Sequence, residues 1–167
     1  MNDSSAEATV TAPATPDSSM ARAKNIVVSA LALRHPQRAE LLMVRKRGTT
    51  SFMLPGGKPE GGESARDAVV REISEELRLD IDVPGLAELG TWTTVAANEA
   101  GHSVTGTVFT FEGVPAGLDV AEPHVHEEIE EAGWFSIENL PADTAERQFA
   151  PLTRDFVIPN LPQRYRG

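Results

Sequence analysis

Apolar residues recur along the chain with two different spacings, and polar turns separate the apolar segments. From residue 24 onward, apolar segments predict strands at 25–33, 40–45 and 51–54, one or two strands around 86–94, a strand at 103–112 and a last strand at 130–136. Turn-forming residues predict turns at 35–38, 55–57 and 98–101, and a loop at 113–127. Residues 145–157 are predicted to form a covering helix that Pro159 and Pro162 stop, with Pro151 either breaking it or marking its start.

The spacing of apolar residues changes to that of a helix between about Glu63 and Arg78. One face of this helix carries Val69, Val70, Ile73 and Leu77. The neighbouring arc carries Glu72, Glu75 and Glu76. Because residues three and four apart share one face of a helix, one side can be buried while the other presents three carboxylates to a cleft. Strands before and after this helix, together with a terminal helix, predict an α/β fold with a sheet covered on both faces.

The crowded carboxylates indicate a cation site. Like charges four residues apart repel on a helix, so their clustering makes chemical sense around a divalent ion. Oxygen-only ligands suit Mg²⁺ or Mn²⁺ rather than zinc. Glu60 and Glu63 add two carboxylates in the glycine-rich turn that precedes the helix. An isolated acidic pattern of this kind is more often a solvated helix face, so the spacing of the residues around it decides between the two interpretations.

That spacing is specific. Gly57, Glu63 and the segment Arg71-Glu72-Ile73-x-Glu75-Glu76-x-x-Leu79 resemble the signature of the Nudix hydrolases. The resemblance covers residues 24–160 in outline and is specific over 57–79. It implies an α/β/α sandwich with a mixed central sheet and a glycine-rich loop–helix–loop metal site. One position departs from the signature, because Arg78 stands where the family has a helix-ending glycine. Arg78 is therefore expected to cost local stability or to extend the helix slightly.

The resemblance also implies residue roles. The metal ligands would be the carbonyl of Gly57 and the carboxylates of Glu72, Glu75 and Glu76, and the ion would be Mg²⁺, with Mn²⁺ as an alternative. Arg71 would orient a carboxylate by ion pairing, and Glu63 would stabilise the ligands without binding the metal ion itself. Residues 128–134 (EIEEAGW) look like a later family segment, which makes Glu128 a further ligand or base. Glu72 ranks first as general base and Glu128 second, while a solvated acidic loop is an equal interpretation of residues 128–131.

Substrate contacts are less specific in the sequence. Arg45, Arg47 and Lys58 lie near the glycine-rich turn and are candidates for binding substrate phosphates, although a basic strand end explains the first two equally well. His124 and His126 have a spacing that a metal ion can use, but with no third ligand nearby they are predicted to be loop histidines. Phe52 and Trp92 are predicted to pack in the core rather than to stack on a base.

Composition limits the other possibilities. The 167 residues predict one domain, and the absence of cysteine excludes disulfides, thiol chemistry and cysteine-ligated zinc. A net charge of −10 repels nucleic-acid polymers, so the expected partner is a small nucleotide whose charge a metal ion offsets. No segment has the apolar length of a membrane span, which predicts a cytoplasmic protein without membrane partners. The oligomeric state is left open between monomer and homodimer.

The predicted organisation is a disordered N-terminal tail (1–23), a Nudix domain (24–162) and a C-terminal tail (163–167), with Met20 as an alternative start. The resemblance implies Mg²⁺-dependent cleavage of a phosphoanhydride bond in a nucleoside diphosphate linked to another moiety. A canonical or oxidised (d)NTP is the expected substrate, because the proline and tyrosine markers of other subfamilies are absent from TWTTVAANEAGH. ADP-ribose, dinucleotides or dinucleoside polyphosphates are alternative substrates, and a non-catalytic nucleotide-binding regulatory module is the alternative function.

Overall fold

The computed structural model describes residues 23–167, and the predicted N-terminal tail lies outside them apart from its last residue. The first sheet contains β1 (Asn25–Ala32), β4 (Gly56–Gly57), β5 (Leu86–Val95) and β6 (Ser103–Phe111) in the order β4-β1-β6-β5. The second contains β2 (Glu40–Lys46), β3 (Ser51–Met53), β7 (Ile129–Ser136) and β8 (Gln148–Phe149) in the order β7-β2-β3-β8. The region predicted to hold one or two strands around 86–94 forms the single strand β5.

Strand directions are mixed in both sheets. The pairs β1–β6 and β3–β8 are parallel, and the other pairs are antiparallel. The predicted α/β class with mixed strand directions is confirmed, and the strands are divided between two hydrogen-bonded sheets. Alternate residues of β1 face two different hydrophobic clusters, because Ala30 and Ala32 pack in one and Leu31 packs in the other. The first sheet therefore has apolar packing on both of its faces.

The central helix, α1 (Ala65–Leu77), begins and ends where its sequence signals lie. Ser64 is the N-cap, and its Oγ accepts a hydrogen bond of 3.0 Å from the backbone N–H of Asp67. The helix buries Ala68, Val69, Ile73, Glu76 and Leu77. Its apolar face packs in one cluster with Leu31 and Phe109, so α1 covers the face of the first sheet that carries these side chains.

Arg78 ends α1 in the left-handed conformation that the family resemblance associates with glycine (φ 54°, ψ 38°). Its backbone N–H donates a 3.1 Å hydrogen bond to the carbonyl of Ser74. The helix is therefore not extended. The expected cost in local stability remains, because a Cβ disfavours the left-handed backbone conformation.

We expect Arg78→Gly to raise the free energy of unfolding by about 0.5–1 kcal/mol, because it releases backbone strain. The greater flexibility of glycine in the unfolded chain offsets part of this gain. Urea unfolding in EDTA measures this change. Ser74→Gly, at an exposed site inside α1, is the matched control and should lower stability by about 0.5 kcal/mol. A loss of stability in both variants would contradict the assignment of strain to Arg78.

The C-terminal region differs from the predicted covering helix. Gln148 and Phe149 form β8 beside β3, and the backbone N–H of Ala150 donates to the carbonyl of Phe52 at 2.8 Å. Helical structure begins only at Pro151, which marks a start rather than a break, and runs through a π-helical segment (Leu152–Val157) into α2 (Ile158–Asn160). The predictions that residues 145–150 are helical and that β7 is the last strand are wrong. Pairing with β3 prevails over local helical preference, and the helix ends at Asn160, between the two prolines that were predicted to stop it.

Residues near the C-terminus pack on the domain. A 3₁₀ turn (Gln163–Tyr165) places Tyr165 in the core with 2% of its surface exposed, and its hydroxyl donates to the carbonyl of Ala32 at 3.1 Å. The predicted C-terminal tail is therefore wrong for this turn. Within residues 23–167, no helix is long and apolar enough to cross a membrane.

Candidate active site

Glu76 is a buried carboxylate in the middle of the acidic helix face. Its side chain is 2% exposed, and Oε2 accepts a 3.1 Å hydrogen bond from the backbone N–H of Gly56 in the glycine-rich turn. Oε1 has no hydrogen-bond partner among the described residues. Burial raises the pKa of Glu76 to about 8, although the Gly56 N–H opposes the shift. The turn and the helix therefore hold one carboxylate oxygen and leave the other without a neutralising partner.

Glu72 lies directly against the glycine-rich turn, one helical turn before Glu76. A Cβ built on Gly57 would stand 2.4 Å from the carboxyl carbon of Glu72, so only glycine leaves room for this carboxylate. Burial raises the pKa of Glu72, while a 3.0 Å hydrogen bond from Arg71 to Oε1 opposes the shift. The raised pKa makes this carboxylate a stronger base than an exposed glutamate.

Arg71 connects the carboxylates to one another. Its guanidinium donates two hydrogen bonds to Glu63, at 2.9 and 2.8 Å, one to Glu72 and one to Glu75 at 3.2 Å. It also donates to the carbonyl of Lys58 at 3.1 Å. The bond with Arg71 lowers the pKa of Glu63 to about 2, which keeps that carboxylate ionised. The rigid fork of arginine thus fixes the turn and the helix relative to each other.

Two adjoining cavities open beside these residues. The acidic cavity, about 240 Å³ in volume, is lined by Glu60, Arg71, Glu72, Glu75, Glu76, Glu127 and Glu128. The larger cavity, about 300 Å³, has polar groups near Gly57 and an apolar part that includes Val28, Val104 and Leu152. Glu72 and Glu128 line both. The site therefore joins a carboxylate cluster to a cleft with polar and apolar regions.

Glu128 reaches the site from the loop before β7. Its carboxylate is paired with Lys46 at 3.2 Å and is 59% exposed, and its backbone carbonyl accepts a 2.9 Å hydrogen bond from the N–H of Arg47. The structure thus brings together Gly57, Glu63, Arg71, Glu72, Glu75, Glu76 and Glu128, whose roles were predicted from the sequence.

The donor set fits a divalent cation. All the carboxylates around the acidic cavity offer oxygen, and Glu76 Oε1 is a buried oxygen without a protein partner in the described region. Among residues 23–167, no group of three or more acidic or histidine side chains is arranged so that it could hold a metal ion.

Comparison with known families agrees with this geometry. A family model described as the NUDIX domain matches residues 23–156. The chain belongs to the Nudix family.

Two curated relatives of this Nudix chain carry different names. An ADP-ribose pyrophosphatase of Methanocaldococcus jannaschii is 32% identical over 105 residues, which cover 61% of this chain and 57% of the relative. A NAD-capped RNA hydrolase NudC of Stutzerimonas stutzeri is 35% identical over 113 residues, covering 66% of this chain and 37% of the relative. The chain thus spans between about a third and three fifths of the length of these relatives.

A solved structure supports the Nudix fold. The MutT NUDIX hydrolase from Burkholderia pseudomallei superimposes with a TM-score of 0.62, at 22% sequence identity, over 83% of this chain and 98% of that chain. At this level of identity the similarity concerns the fold.

The predicted substrate contacts are only partly in the Nudix cleft. Arg45 is held by Glu130 and Glu131 at 3.0 Å each, and neither Arg45 nor Arg47 lines a described cavity. Lys46, which lies between them in the sequence, lines the larger cavity together with the predicted Lys58.

The remaining predictions concern side chains outside the carboxylate cluster. His124 and His126 lie in the loop before β7, their ring centroids are 6.5 Å apart, and neither lines a described cavity. Phe52 is in the core and Trp92 packs against it, as predicted. The sequence did not single out Glu127, which lines the acidic cavity with a left-handed backbone (φ 55°).

Proposed function

We propose that this Nudix chain hydrolyses a phosphoanhydride bond in a nucleoside diphosphate linked to another moiety. The proposed cofactor is Mg²⁺, with Mn²⁺ as an alternative. Within this class, a canonical or oxidised (d)NTP is the preferred substrate. The site residues are those that the signature predicted, with Lys46 added and Arg45 and Arg47 removed from the substrate contacts.

The observation that carries the proposal is the environment of Glu76. A solvated acidic helix face has no reason to bury a carboxylate and leave one of its oxygens without a hydrogen-bond donor. Here the buried carboxylate lies in a cavity lined by five further glutamates. Mutual repulsion in this cavity is relieved if a divalent cation binds there.

Each residue has a chemical task in this proposal. Glu72, Glu75 and Glu76, with Glu128 and the carbonyl of Gly57, would hold the cation, which when bound would neutralise phosphoryl charge and lower the pKa of a water molecule. Glu72 would take the proton of the attacking water, because burial has raised its pKa. Glu128 is the alternative base. Arg71 keeps Glu72 and Glu75 oriented, and Glu63 holds Arg71 in place.

The larger cavity supports a nucleotide substrate. Lys46 and Lys58 provide positive charge near Gly57 for the phosphates, and Val28, Val104 and Leu152 provide an apolar wall for a nucleoside. Its volume of about 300 Å³ is at the small end of ligand pockets. This size favours a substrate with one nucleoside over a dinucleotide or a dinucleoside polyphosphate.

ADP-ribose and NAD-type substrates form the second candidate class. The observation that favours them is the similarity to two curated relatives, an ADP-ribose pyrophosphatase and a NAD-capped RNA hydrolase. Both activities cleave a pyrophosphate link in a nucleoside diphosphate derivative, so the carboxylate cluster would serve them equally. Which of the two substrate classes is preferred depends on the apolar part of the cleft.

The test is release of phosphate, pyrophosphate and nucleoside monophosphate from a substrate panel, in Mg²⁺, in Mn²⁺ and in EDTA. The panel contains canonical and oxidised (d)NTPs, ADP-ribose, NADH and dinucleoside polyphosphates. We expect metal-dependent cleavage, with a (d)NTP having the highest kcat/KM. A preference for ADP-ribose or NADH would assign the second class. Binding without cleavage by folded protein would contradict the proposal and favour the regulatory module.

A further inference from the structure

Ser29 is a buried hydroxyl without a structural task. The residue lies in β1 and is 0% exposed. Its Oγ has no hydrogen-bond partner among residues 23–167. A buried hydroxyl that makes no hydrogen bond lowers stability relative to alanine, which would occupy the same space without an unpaired polar group. Packing alone therefore does not account for a serine at this position.

The register of the first sheet places Ser29 beside the carboxylate cluster. Ser29 is the cross-strand partner of Gly57 in the antiparallel pair β1–β4. Directly opposed residues of such a pair point to the same side of the sheet, with Cβ positions about 4.5–5.5 Å apart. On that side, a Cβ on Gly57 would meet the carboxyl group of Glu72. The hydroxyl of Ser29 and the carboxylate of Glu72 therefore flank the space that the missing side chain of Gly57 leaves open.

Two further observations agree with this placement. Strand alternation puts Ser29 on the same face as Leu31, which packs in the cluster under α1, the helix that carries Glu72. Ser29, Gly57 and Glu72 also line the same cavity. Arg71 donates to Oε1 of Glu72, so the guanidinium anchors this carboxylate from the side of α1.

We propose that Ser29 is a positioning residue whose hydroxyl donates a hydrogen bond to the carboxylate of Glu72 when a cation binds in the acidic cavity. Arg71 and Ser29 then hold Glu72 from two sides, and the carboxylate has one orientation toward the cation and the substrate. The hydrogen bond would give the buried hydroxyl of Ser29 an acceptor. The inference rests on the proposed function of the carboxylate cluster.

The test compares Ser29→Ala with wild-type protein in three measurements. In EDTA, the melting temperature of Ser29→Ala should equal or exceed that of wild type. The Mn²⁺ dissociation constant, measured by electron paramagnetic resonance, should rise about 10-fold or more, as it does when a residue that orients a metal ligand is removed. With the best substrate of the panel, kcat should fall while KM changes less than threefold. Ser51→Ala, at a buried serine of β3 that lines neither cavity, is the matched control and should leave Mn²⁺ affinity unchanged.

A double-mutant cycle shows whether Ser29 acts through Glu72. In a Glu72→Ala background, Ser29→Ala should change the Mn²⁺ dissociation constant less than twofold, because the acceptor is already absent. An undiminished effect in that background would overturn the proposal.

Other outcomes are equally decisive. The role proposed for Ser29 would also be overturned if Ser29→Ala bound Mn²⁺ as tightly as wild type, or if its melting temperature in EDTA were lower than that of wild type. If wild-type protein binds Mn²⁺ but hydrolyses nothing, the proposed function fails while the Ser29 test remains readable from Mn²⁺ affinity. If wild-type protein binds no Mn²⁺, both proposals fail.

Discussion

Replacing Glu76 with Gln is expected to lower Mg²⁺-dependent turnover by at least about 10²-fold, because the substitution removes the most deeply buried charge of the carboxylate cluster. Glutamine keeps the size of the side chain and an oxygen that can accept from the N–H of Gly56. The loss should therefore come from weaker cation binding and not from a changed fold. Steady-state kinetics over a range of Mg²⁺ concentrations measures it, and near wild-type turnover at moderate Mg²⁺ would refute the site assignment.

The pH dependence of stability provides the control for this variant. Burial raises the pKa of Glu76 from 4.5 to about 8, so the folded protein favours the protonated carboxyl group. In metal-free wild-type protein, this contribution to stability is complete below about pH 4.5 and is lost as the pH rises toward 8. Glu76→Gln does not titrate. Its melting temperature in EDTA, relative to wild type, should therefore increase between pH 5 and pH 8, while an excess of Mg²⁺ should stabilise only the wild type appreciably.

Gly57→Ala is expected to lower kcat/KM by about 10²-fold, since the new methyl group would occupy the space of the Glu72 carboxylate. The predicted Cβ position is 2.4 Å from the carboxyl carbon, so Glu72 must move away from the turn. The displacement would also disturb the bond between Glu72 and Arg71. Kinetics with the best substrate, together with a Mn²⁺ titration, measures the effect.

Gly61→Ala is the matched control for this substitution. Gly61 lies in the same glycine-rich loop, and a Cβ built there meets no atom within 4 Å among the described residues. We expect activity within about twofold of wild type, because no contact of the site changes. Equal losses in both variants would show that the loop tolerates no alanine at all, and they would contradict a specific clash with Glu72.

Local sequence spacing was sufficient to predict α1 and its carboxylates. The distance between residues along a helix determines which side chains share a face, so Glu72, Glu75 and Glu76 were placed together without any knowledge of the sheets. The glycines at 56 and 57, in contrast, were predicted to lie in a turn, and pairing with β1 makes them the short strand β4. Most strands were predicted from short apolar segments bounded by turn residues, which are also local signals.

Contacts between distant segments were not predictable in this way. Gln148 and Phe149 form a strand because β3, about a hundred residues earlier, offers a free edge, and helical preference in residues 145–150 is overridden. Lys46 rather than Arg45 lies in the cleft because the pairing of β2 with β7 gives Arg45 two glutamate partners. Tyr165 belongs to the core because it packs there and bonds to β1.

The chemistry of the site likewise depends partly on local sequence and partly on contacts between distant segments. The sequence alone establishes that carboxylates are concentrated in residues 57–79, because spacing within one loop and one helix is a local property. Only the tertiary structure decides that Glu76 has a buried, unpaired oxygen, that Gly57 makes room for Glu72 and that Ser29 stands opposite Gly57. Burial and strand register depend on which surfaces meet, and segments far apart in the chain determine that jointly.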